Sequence, residues 1–414
     1  MTFETDFASL SETVAAQSDD LIGFTGAATA GAAMRIVIVM HDFAAGGTEH
    51  VAVRLANSWA ACGRRVTIFC GTERGPLRSR VSKDVRVARS PRDCPRSLFS
   101  RLALAEALAD FTAIEWPDVV YAPGNFHLPV LARFSAIDPS RAVTIGKLSN
   151  PIASSSPIGP FRRIHEAVTR RFLGRVDRFV AMSPALRAEA RTIFNAERVA
   201  LAWEPLLDPT PPSADACRGA AHPLFLAVGR LERQKNFALA VKALALSGHG
   251  DAELLFLGDG SERKKLARLA ARLGVADRVT FAGYKSDISH VFASASALLL
   301  PSRFEGYPAV AAEAVAAGLP VIATPCSPAI GEILVNDDHS RIVSPSPRAF
   351  AAAMDDMTTR PPSDRRPRAS FVARHDATIA AAKYLALLDE LCVSARSPVR
   401  AEAAENNPTR RRFS

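Results

Sequence analysis

The sequence predicts an α/β protein of two domains, each built on a doubly wound parallel sheet. Short apolar runs alternate along the chain with helical stretches of ten or more residues, as expected for parallel strands joined by crossover helices. A proline-rich stretch without periodicity, residues 205–222, divides this pattern into two series. With 414 residues, 48% of them hydrophobic and 22% charged, the chain is long and apolar enough to bury two cores.

The first domain is predicted over residues 34–204. It opens on the apolar run 34–40, a helix is expected over 98–113, and further strands are expected at 65–70, 85–88, 118–122, 142–146, 178–182 and 199–202. Residues 1–33 contain five acidic residues and no Lys or Arg, which fits neither a secretory signal nor a transit peptide. We expect them to be a flexible extension, with Met34 as an alternative start.

The second domain is predicted over residues 223–375, with 205–222 as the linker between the domains. Its strands are expected at 224–228, 253–257, 278–281, 295–300, 320–323 and 341–343. Residues 376–393 are strongly helical and are expected to join the first domain. The basic tail, 394–414, has no apolar pattern and is expected to be disordered.

Charge and cysteine content narrow the function classes. A net charge of +9 with a sequence pI near 9.6 favours an anionic partner, although an Arg-rich source composition would also produce it. Nucleic acid is disfavoured, because the sequence has no helix-turn-helix, zinc-finger or aromatic RNA-binding motif. The six cysteines have no metal-ligand spacing and are predicted to be reduced thiols of a cytoplasmic protein. No apolar run reaches the roughly 20 residues needed to span a bilayer.

The stretch 301–320 combines the end of a strand, a tight turn and the start of a helix. In open α/β sheets this is where ligands bind, and the free amides and dipole of a helix start suit a phosphate. Pro308 is expected in the first turn of that helix. Glu305 in the turn and Glu313 on the second helical turn flank this position, so they can accept hydroxyl hydrogens from a sugar and a ribose.

Two further loops have the chemistry of a diphosphate site. Arg230 and Lys235 follow the first strand of the second domain, where fixed cations would stabilise a leaving diphosphate. Gly46 and Gly47 occupy a strand-to-helix turn of the first domain and allow the backbone to approach a ligand. The alternatives are a solvated charged loop for the first and an ordinary turn for the second.

These segments together resemble the family 4 retaining glycosyltransferases. Glu305 and Glu313, separated by seven residues within 302–322, are similar to the family's E-x7-E motif. Residues 229–235 resemble its G-R-x-x-x-x-K motif, and 46–51 resemble its GG-x-E segment. The resemblance implies the GT-B fold, in which two Rossmann-like domains face a central cleft and a terminal helix crosses back onto the first domain.

The resemblance also implies roles for individual residues. Arg230 and Lys235 would bind the donor diphosphate and, with Glu305, form the catalytic set. Glu305 would contact the transferred sugar and Glu313 the ribose. The remaining expected donor contacts are the backbone amides of Gly306 and Tyr307, the turns at Gly46, Gly47 and Gly258, and Tyr284 at the nucleotide base.

The implied reaction is hexosyl transfer with retention from a nucleotide-diphosphate sugar, with UDP as the expected nucleotide. The acceptor would be a glycan or a lipid-linked sugar in cell-envelope or exopolysaccharide synthesis. No metal and no cofactor are expected, because Arg, Lys and a helix terminus supply the positive charge and no D-x-D motif is placed to bind a metal. Two rivals remain: a non-catalytic GT-B partner subunit and a nucleotide-sugar epimerase of the same fold.

The acceptor half departs from the family pattern. Many members place a histidine that meets the sugar near the position of Pro123, where Asn125 or His127 could serve here, although a lone histidine beside apolar residues is more often structural. Trp203 precedes Glu204 where Asn-Pro is common, and the segment 326–332 keeps Glu332 without the usual glycines.

Residues 161–179 predict a basic amphipathic helix. Six arginines alternate there with apolar residues at spacings of three and four. The pattern is typical of a helix lying on an anionic membrane, and also of one packed on its own domain. In the first case the protein would be peripheral at the cytoplasmic face of the cell membrane.

Overall fold

The structure, a computed structural model, describes residues 33–97, 99–138, 142–152, 161–207, 222–285, 288–337, 339–358 and 369–395. The side chains of 161–166 and 394–395 are outside this description. The predicted extension 1–32, the linker residues 208–221 and the tail beyond 395 also lie outside it. Ala33 is an exception to the predicted boundary, because it is fully buried and its N–H donates to Asp389 at 2.8 Å.

The first domain is a parallel sheet of seven strands in the order β3-β2-β1-β4-β5-β6-β7. Its strands are short and apolar on both faces, as in β4, where all four residues are buried beneath helices. Its elements are β1 (Arg35–Met40), α1 (Gly47–Ala61), β2 (Arg65–Cys70), β3 (Arg86–Arg89), α2 (Ser100–Glu115), β4 (Val119–Ala122), α3 (Leu128–Ile137), β5 (Val143–Leu148), α4 (Phe161–Leu173), β6 (Arg178–Ala181), α5 (Pro184–Ile193) and β7 (Val199–Leu201).

The second domain is a parallel sheet of six strands in the order β10-β9-β8-β11-β12-β13. Its central strand β11 is the apolar run Ala-Leu-Leu-Leu and is completely buried. Its elements are β8 (Leu224–Val228), α6 (Ala238–Leu246), β9 (Glu253–Leu257), α7 (Arg263–Arg272), β10 (Val279–Phe281), α8 (Ser289–Ser294), β11 (Ala297–Leu300), α9 (Ala309–Ala316), β12 (Val321–Ala323), α10 (Ile330–Leu334), β13 (Arg341–Ile342) and α11 (Pro347–Thr358).

The predicted fold class, two parallel-sheet α/β domains, is confirmed, and two local predictions were wrong in detail. The helix expected over 98–113 runs over 100–115, because the side chains of Ser97 and Ser100 accept each other's backbone N–H groups and fix its start. It ends where Trp116 adopts a left-handed backbone conformation with φ of 47°. Pro308 precedes α9 instead of lying in its first turn.

Two helices at the end of the described chain, α12 (Ala369–His375) and α13 (Ala377–Ala395), return to the first domain. The predicted terminal helix, 376–393, is thus two residues longer at its end. The Trp59 indole on α1 donates to the Ala381 carbonyl at 3.1 Å, and Arg64 pairs with Asp389 at 2.7 Å. Where α12 ends, the described parts of the two segments that join the domains meet, because the N–H groups of Leu206 and Leu207 both donate to the His375 carbonyl, and we call this meeting point the hinge.

Candidate functional site in the interdomain cleft

Both sheets reverse their strand order at one point, between β1 and β4 in the first domain and between β8 and β11 in the second. Such a switch point opens a crevice at the carboxyl ends of the strands, where α/β proteins bind ligands. The two crevices face each other, because segments that follow the strands of both sheets touch. The His50 Nε2 atom lies 3.2 Å from the Tyr284 hydroxyl, and Glu332 Oε1 accepts the Ala185 N–H at 2.8 Å.

At Gly306 the backbones of the two domains come very close to each other. A Cβ atom built on this glycine would lie 1.7 Å from the carbonyl oxygen of Ser149, in the loop after β5. No side chain fits in that space, so only glycine allows the turn before α9 to press against the first domain. The cleft is consequently closed here at the level of the backbone.

A lysine–carboxylate pair forms the centre of the cleft. Lys235 Nζ lies 2.7 Å from Glu305 Oε1, and the Ser302 hydroxyl donates to the same oxygen at 2.7 Å. The Glu305 N–H donates to the Cys326 carbonyl at 2.7 Å, which fixes the turn that carries the carboxylate. Glu305 is only 9% exposed, so its charge is compensated by partners more than by water.

The loop after β8 brings Lys235 to this position by attaching to the loop after β11. Asn236 adopts a left-handed conformation with φ of 51° and donates to the Pro301 carbonyl at 3.2 Å. The Gln234 carbonyl accepts the Arg303 N–H at 2.8 Å. Gly229, at φ of 133°, lies beneath the lysine stem, since a Cβ there would be 3.0 Å from Lys235 Cε.

Arg230, on the same loop, is exposed, and its side chain forms no ion pair or hydrogen bond within the described residues. Nearby, the N–H and hydroxyl of Ser261 donate to Glu232 and lower the pKa of that carboxyl, and the charge of Arg230 lowers it further. Gly258 lies behind this loop, where a Cβ would be 2.1 Å from the Gly229 carbonyl oxygen. Gly258 therefore allows close backbone packing behind the loop that carries Arg230 and Lys235.

The start of α9 presents backbone donors beside these cations. Among the residues described, the amides of Gly306 and Tyr307 donate to no protein acceptor, and Pro308 has no N–H. Unpaired amides at a helix start attract an anion. Glu313 is half-buried on the second turn of the same helix.

The Tyr307 side chain points away from these amides and into the hinge. Its hydroxyl donates to His375 Nε2 at 2.8 Å, and His375 Nδ1 donates to the Glu204 carbonyl at 3.0 Å. Burial lowers the pKa of His375 to about 3, so the imidazole is neutral at physiological pH. Trp203 packs edge-on against His375, which gives the unusual Trp203–Glu204 pair of the sequence a place in the hinge.

Asn125 and His127, expected as sugar contacts, bind backbone groups of the first-domain wall. Asn125 Oδ1 accepts the Ser149 N–H at 2.7 Å and the Asn150 N–H at 3.2 Å, and its Nδ2 donates to the Asn150 carbonyl at 2.9 Å. His127 is fully buried, and its Nε2 accepts the His41 N–H at 3.2 Å. Both side chains are therefore occupied in holding loops.

The glycine turn before α1 is shaped by an acidic residue. A Cβ on Gly46 would lie 2.2 Å from Glu49 Oε2, whereas Gly47 has open space around it. Glu49 is buried and pairs with Arg96, which also binds Asp42 with 2.7 Å between Nε and Oδ2. A side chain at position 46 would therefore displace the Glu49 carboxylate, whereas Gly47 has free space around it.

Several of these contacts have no signal in the sequence. Lys147 and Glu204 form a buried ion pair beneath the hinge, and Glu332 reaches the start of α5 across the cleft. The sequence indicates Glu332 only as a residue that is retained from the family pattern, and it does not indicate a contact with the first domain. An apolar strand that contains a lysine, such as β5, could have indicated the buried pair.

Two kinds of structure are absent from the part of the chain that the structure describes. No group of three or more His, Cys, Asp or Glu side chains in this part of the chain could hold a metal ion. No helix there is long and apolar enough to cross a bilayer.

Comparison with known families identifies both domains. Residues 46–202 match the model of the glycosyl transferase 4-like domain, and residues 219–371 match that of glycosyl transferases group 1. The two matches correspond to the two sheets on either side of the cleft.

Curated relatives match over part or nearly all of their length. An uncharacterized glycosyltransferase of Haemophilus influenzae is 34% identical over 117 residues, 28% of this chain and 33% of that protein. The lipopolysaccharide core biosynthesis glycosyltransferase LpsE of Rhizobium meliloti is 37% identical over 103 residues, 25% of this chain and 29% of that protein. The chain therefore spans about a third of the length of these two relatives. The GDP-mannose-dependent alpha-(1-6)-phosphatidylinositol dimannoside mannosyltransferase of Mycobacterium tuberculosis is 27% identical over 88% of this chain and 98% of that protein.

Solved structures share the architecture at low identity. Anabaena Alr3699/HepE in complex with UDP and glucose has a TM-score of 0.65 at 19% identity, covering 87% of this chain and 98% of that one. WaaG, a glycosyltransferase involved in lipopolysaccharide biosynthesis, has a TM-score of 0.63 at 18% identity, with the same coverage of both chains. With a glycosyltransferase model matching each domain and this two-sheet architecture around one cleft, the chain belongs to the glycosyltransferases of the GT-B fold.

Proposed function

We propose that the protein is a retaining glycosyltransferase of family 4 that transfers a hexose from a UDP-sugar to a glycan or lipid-linked acceptor without a metal ion. The arrangement of Lys235, Ser302 and Glu305 beside the free amides of Gly306 and Tyr307 is the observation that carries the proposal. In this arrangement, the turn before α9 carries both the Glu305 carboxylate, which would bind the sugar, and the two amides that would bind the diphosphate. Polysaccharide synthesis at the cell envelope is supported by relatives such as LpsE.

The charges of the cleft suit a leaving diphosphate. As the bond between sugar and phosphate breaks, negative charge develops on the diphosphate, and preorganised donors stabilise it most where water is excluded. Lys235 is held by Glu305, while Arg230 has no ion-pair partner among the described residues and can turn toward the phosphates. These two cations and the amides of Gly306 and Tyr307 would do the work that a metal ion does elsewhere, and sugar transfer in the presence of EDTA tests this.

The two carboxylates and the leaving diphosphate have separate roles in the proposed reaction. Glu305 accepts hydroxyl hydrogens of the transferred sugar, and Glu313 those of the ribose. The acceptor oxygen forms the new bond to the anomeric carbon as the bond to the diphosphate breaks, and the departing diphosphate assists in removing the proton of the acceptor hydroxyl. The sugar keeps its anomeric configuration because the acceptor oxygen ends on the face that the diphosphate leaves. Anomeric analysis of the product by NMR tests retention.

A nucleotide-sugar panel tests the donor. We expect a UDP-sugar to raise the melting temperature of the wild-type protein, because a ligand that binds only the folded state stabilises it by mass action. GDP-mannose belongs in the panel, since the Mycobacterium tuberculosis relative is GDP-mannose-dependent. Arg230→Ala should lose the response, whereas Arg233→Ala, at an exposed arginine of the same loop, should keep it. No stabilisation of wild type by any nucleotide sugar would contradict the proposal.

A lipid-linked acceptor at the cytoplasmic face of the membrane is supported by α4. In its described part, Val168 is 61% exposed and Phe172 38% exposed, one turn apart, while Leu173 packs inward. Arg170 and Arg171 are exposed beside them. An exposed apolar pair flanked by arginines suits an anionic lipid surface. The predicted contributions of Phe161 and Ile164 lie outside the described side chains.

Vesicle binding tests this surface. We expect the protein to sediment with phosphatidylglycerol vesicles, and the double variant Val168→Ser/Phe172→Ser to bind about tenfold or more weakly, since each buried apolar side chain contributes about 1.5–3 kcal/mol. Leu246→Ser, at an apolar residue of the second domain that is 55% exposed, is the matched control. Equal binding by all three proteins would exclude α4 as the membrane contact.

A further inference from the structure

Two arginines on the first-domain wall of the cleft differ sharply in their partners. Arg96 binds both Asp42 and Glu49, so its charge is compensated within the protein. Arg101, in the first turn of α2, forms no ion pair with any described residue, and its Nε is buried without a hydrogen-bond partner. A partly buried cation without a counter-charge is costly, so it requires an explanation.

The surroundings of Arg101 form a platform. Its guanidinium carbon lies 4.3 Å from the centre of the Phe126 ring, and the neighbouring Ser100 hydroxyl lies 3.2 Å from His41 Nε2. Burial is the cause of the lowered pKa of Arg101, and no carboxylate raises it. Burial also lowers the pKa of His41 to about 4 and that of His127, so both imidazoles are neutral. The platform is therefore cationic through Arg101.

The platform lies at the switch point of the first sheet, because His41 follows β1 and Phe126 follows β4. Phe126 follows Asn125, whose side chain holds Ser149, and Ser149 touches Gly306 beside the donor turn. A group bound on Arg101 would consequently lie on the first-domain side of the cleft, opposite the diphosphate site. In a transferase with its donor on the second domain, that side remains for the acceptor.

Apolar side chains flank the arginine. Phe99 is 86% exposed and Leu102 is 52% exposed, immediately before and after Ser100 and Arg101 in the chain. Large apolar side chains exposed next to an uncompensated cation suit a ligand that is both anionic and apolar. A phosphate attached to a lipid chain has this chemistry.

We propose that Arg101, supported by the Phe126 ring, binds a phosphate of the acceptor, and that Phe99 and Leu102 contact the lipid that carries it. The inference rests on the proposed function and deepens it, because it names an anionic lipid as the acceptor class. Arg101 binds the substrate in this view and takes no part in the chemistry at the donor sugar.

Calorimetric titration with farnesyl phosphate tests the site, with farnesol and inorganic phosphate as the two halves of the probe. We expect wild type to bind farnesyl phosphate more tightly than either half. Arg101→Gln should weaken farnesyl phosphate about tenfold or more, because a charge-assisted hydrogen bond is lost, and Arg101→Lys should recover part of the affinity. Arg92→Gln, at an exposed arginine of the preceding loop, should bind like wild type.

Each further result bears on one part of the inference. Phe99→Ser/Leu102→Ser should weaken farnesyl phosphate and leave inorganic phosphate unchanged; if farnesyl phosphate binding is unaffected, the lipid assignment is wrong. Wild-type affinity in Arg101→Gln overturns the phosphate site. The nucleotide-sugar melting shift must persist in Arg101→Gln, which shows that the variant is folded. If wild type lacks that shift, the proposed function fails, whereas an intact shift with unchanged farnesyl phosphate binding refutes the acceptor site alone.

Discussion

Glu305→Gln is expected to lower kcat/KM for sugar transfer by about 10²–10³, as removal of one preorganised polar group from an active site commonly does. The amide keeps the shape of the side chain and its contact with Ser302, but it removes the negative charge that holds Lys235 at 2.7 Å. The sugar loses its charged hydrogen-bond acceptor, and the lysine loses its orientation. Most of the decrease should therefore appear in kcat.

Initial rates with the donor identified by the melting panel measure this effect. Lys235→Met should produce a loss of similar size, and the double variant should lose much less than the product of the two, because the groups act as a unit. Arg233→Ala serves again as the control. Full multiplication of the two losses would mean that Lys235 and Glu305 act independently, against the contact seen in the cleft.

Gly306→Ala is expected to separate the two domains and to lower kcat/KM by about tenfold to a hundredfold. Its Cβ would lie 1.7 Å from the Ser149 carbonyl oxygen, a distance that real contacts do not reach, so the backbones must move apart by roughly 1 Å or more. Since both partners are main chain, no rotamer change can relieve the clash. Misplacement of this size weakens every contact that spans the cleft.

Small-angle scattering and donor kinetics together measure this separation. The variant should have a larger radius of gyration and a higher donor KM. Gly331→Ala is the matched control, because a Cβ there meets no atom within 4 Å. A Gly306→Ala protein with the dimensions and KM of wild type would mean that the domains do not close as the structure has them.

The sequence predicted the sheets and the centre of the site for the same physical reason. Strands buried on both faces, such as β11, must be uninterrupted apolar runs, and neighbouring parallel strands deliver their following loops to one edge. Glu305 follows β11 and Lys235 follows β8, and these two strands are neighbours in the sheet. The proximity of the two side chains could therefore be predicted from the local sequence pattern alone.

Contacts between the two domains could not be predicted from local sequence patterns. Gly306 against Ser149 and Glu332 against Ala185 join residues about 150 positions apart, and neither pair has a periodicity or turn signature. Asn125 was expected at the sugar because it lies near the position where many family members place a histidine, and the pattern did not reveal its hydrogen bonds to the Ser149–Asn150 loop. Competition between ligand and backbone for a polar side chain is decided by tertiary structure.

The position of α13 has a consequence for how the protein folds during its synthesis. The helix carries Ala381 and Asp389, which complete the surroundings of Trp59 and Arg64, although they are the last part of the described chain to be synthesised. On the ribosome, the half that emerges first must wait for residues more than 300 positions later before its surface is covered. The sheet of the second domain, residues 224–342, is synthesised before α13, so this domain can fold before the first domain is completed.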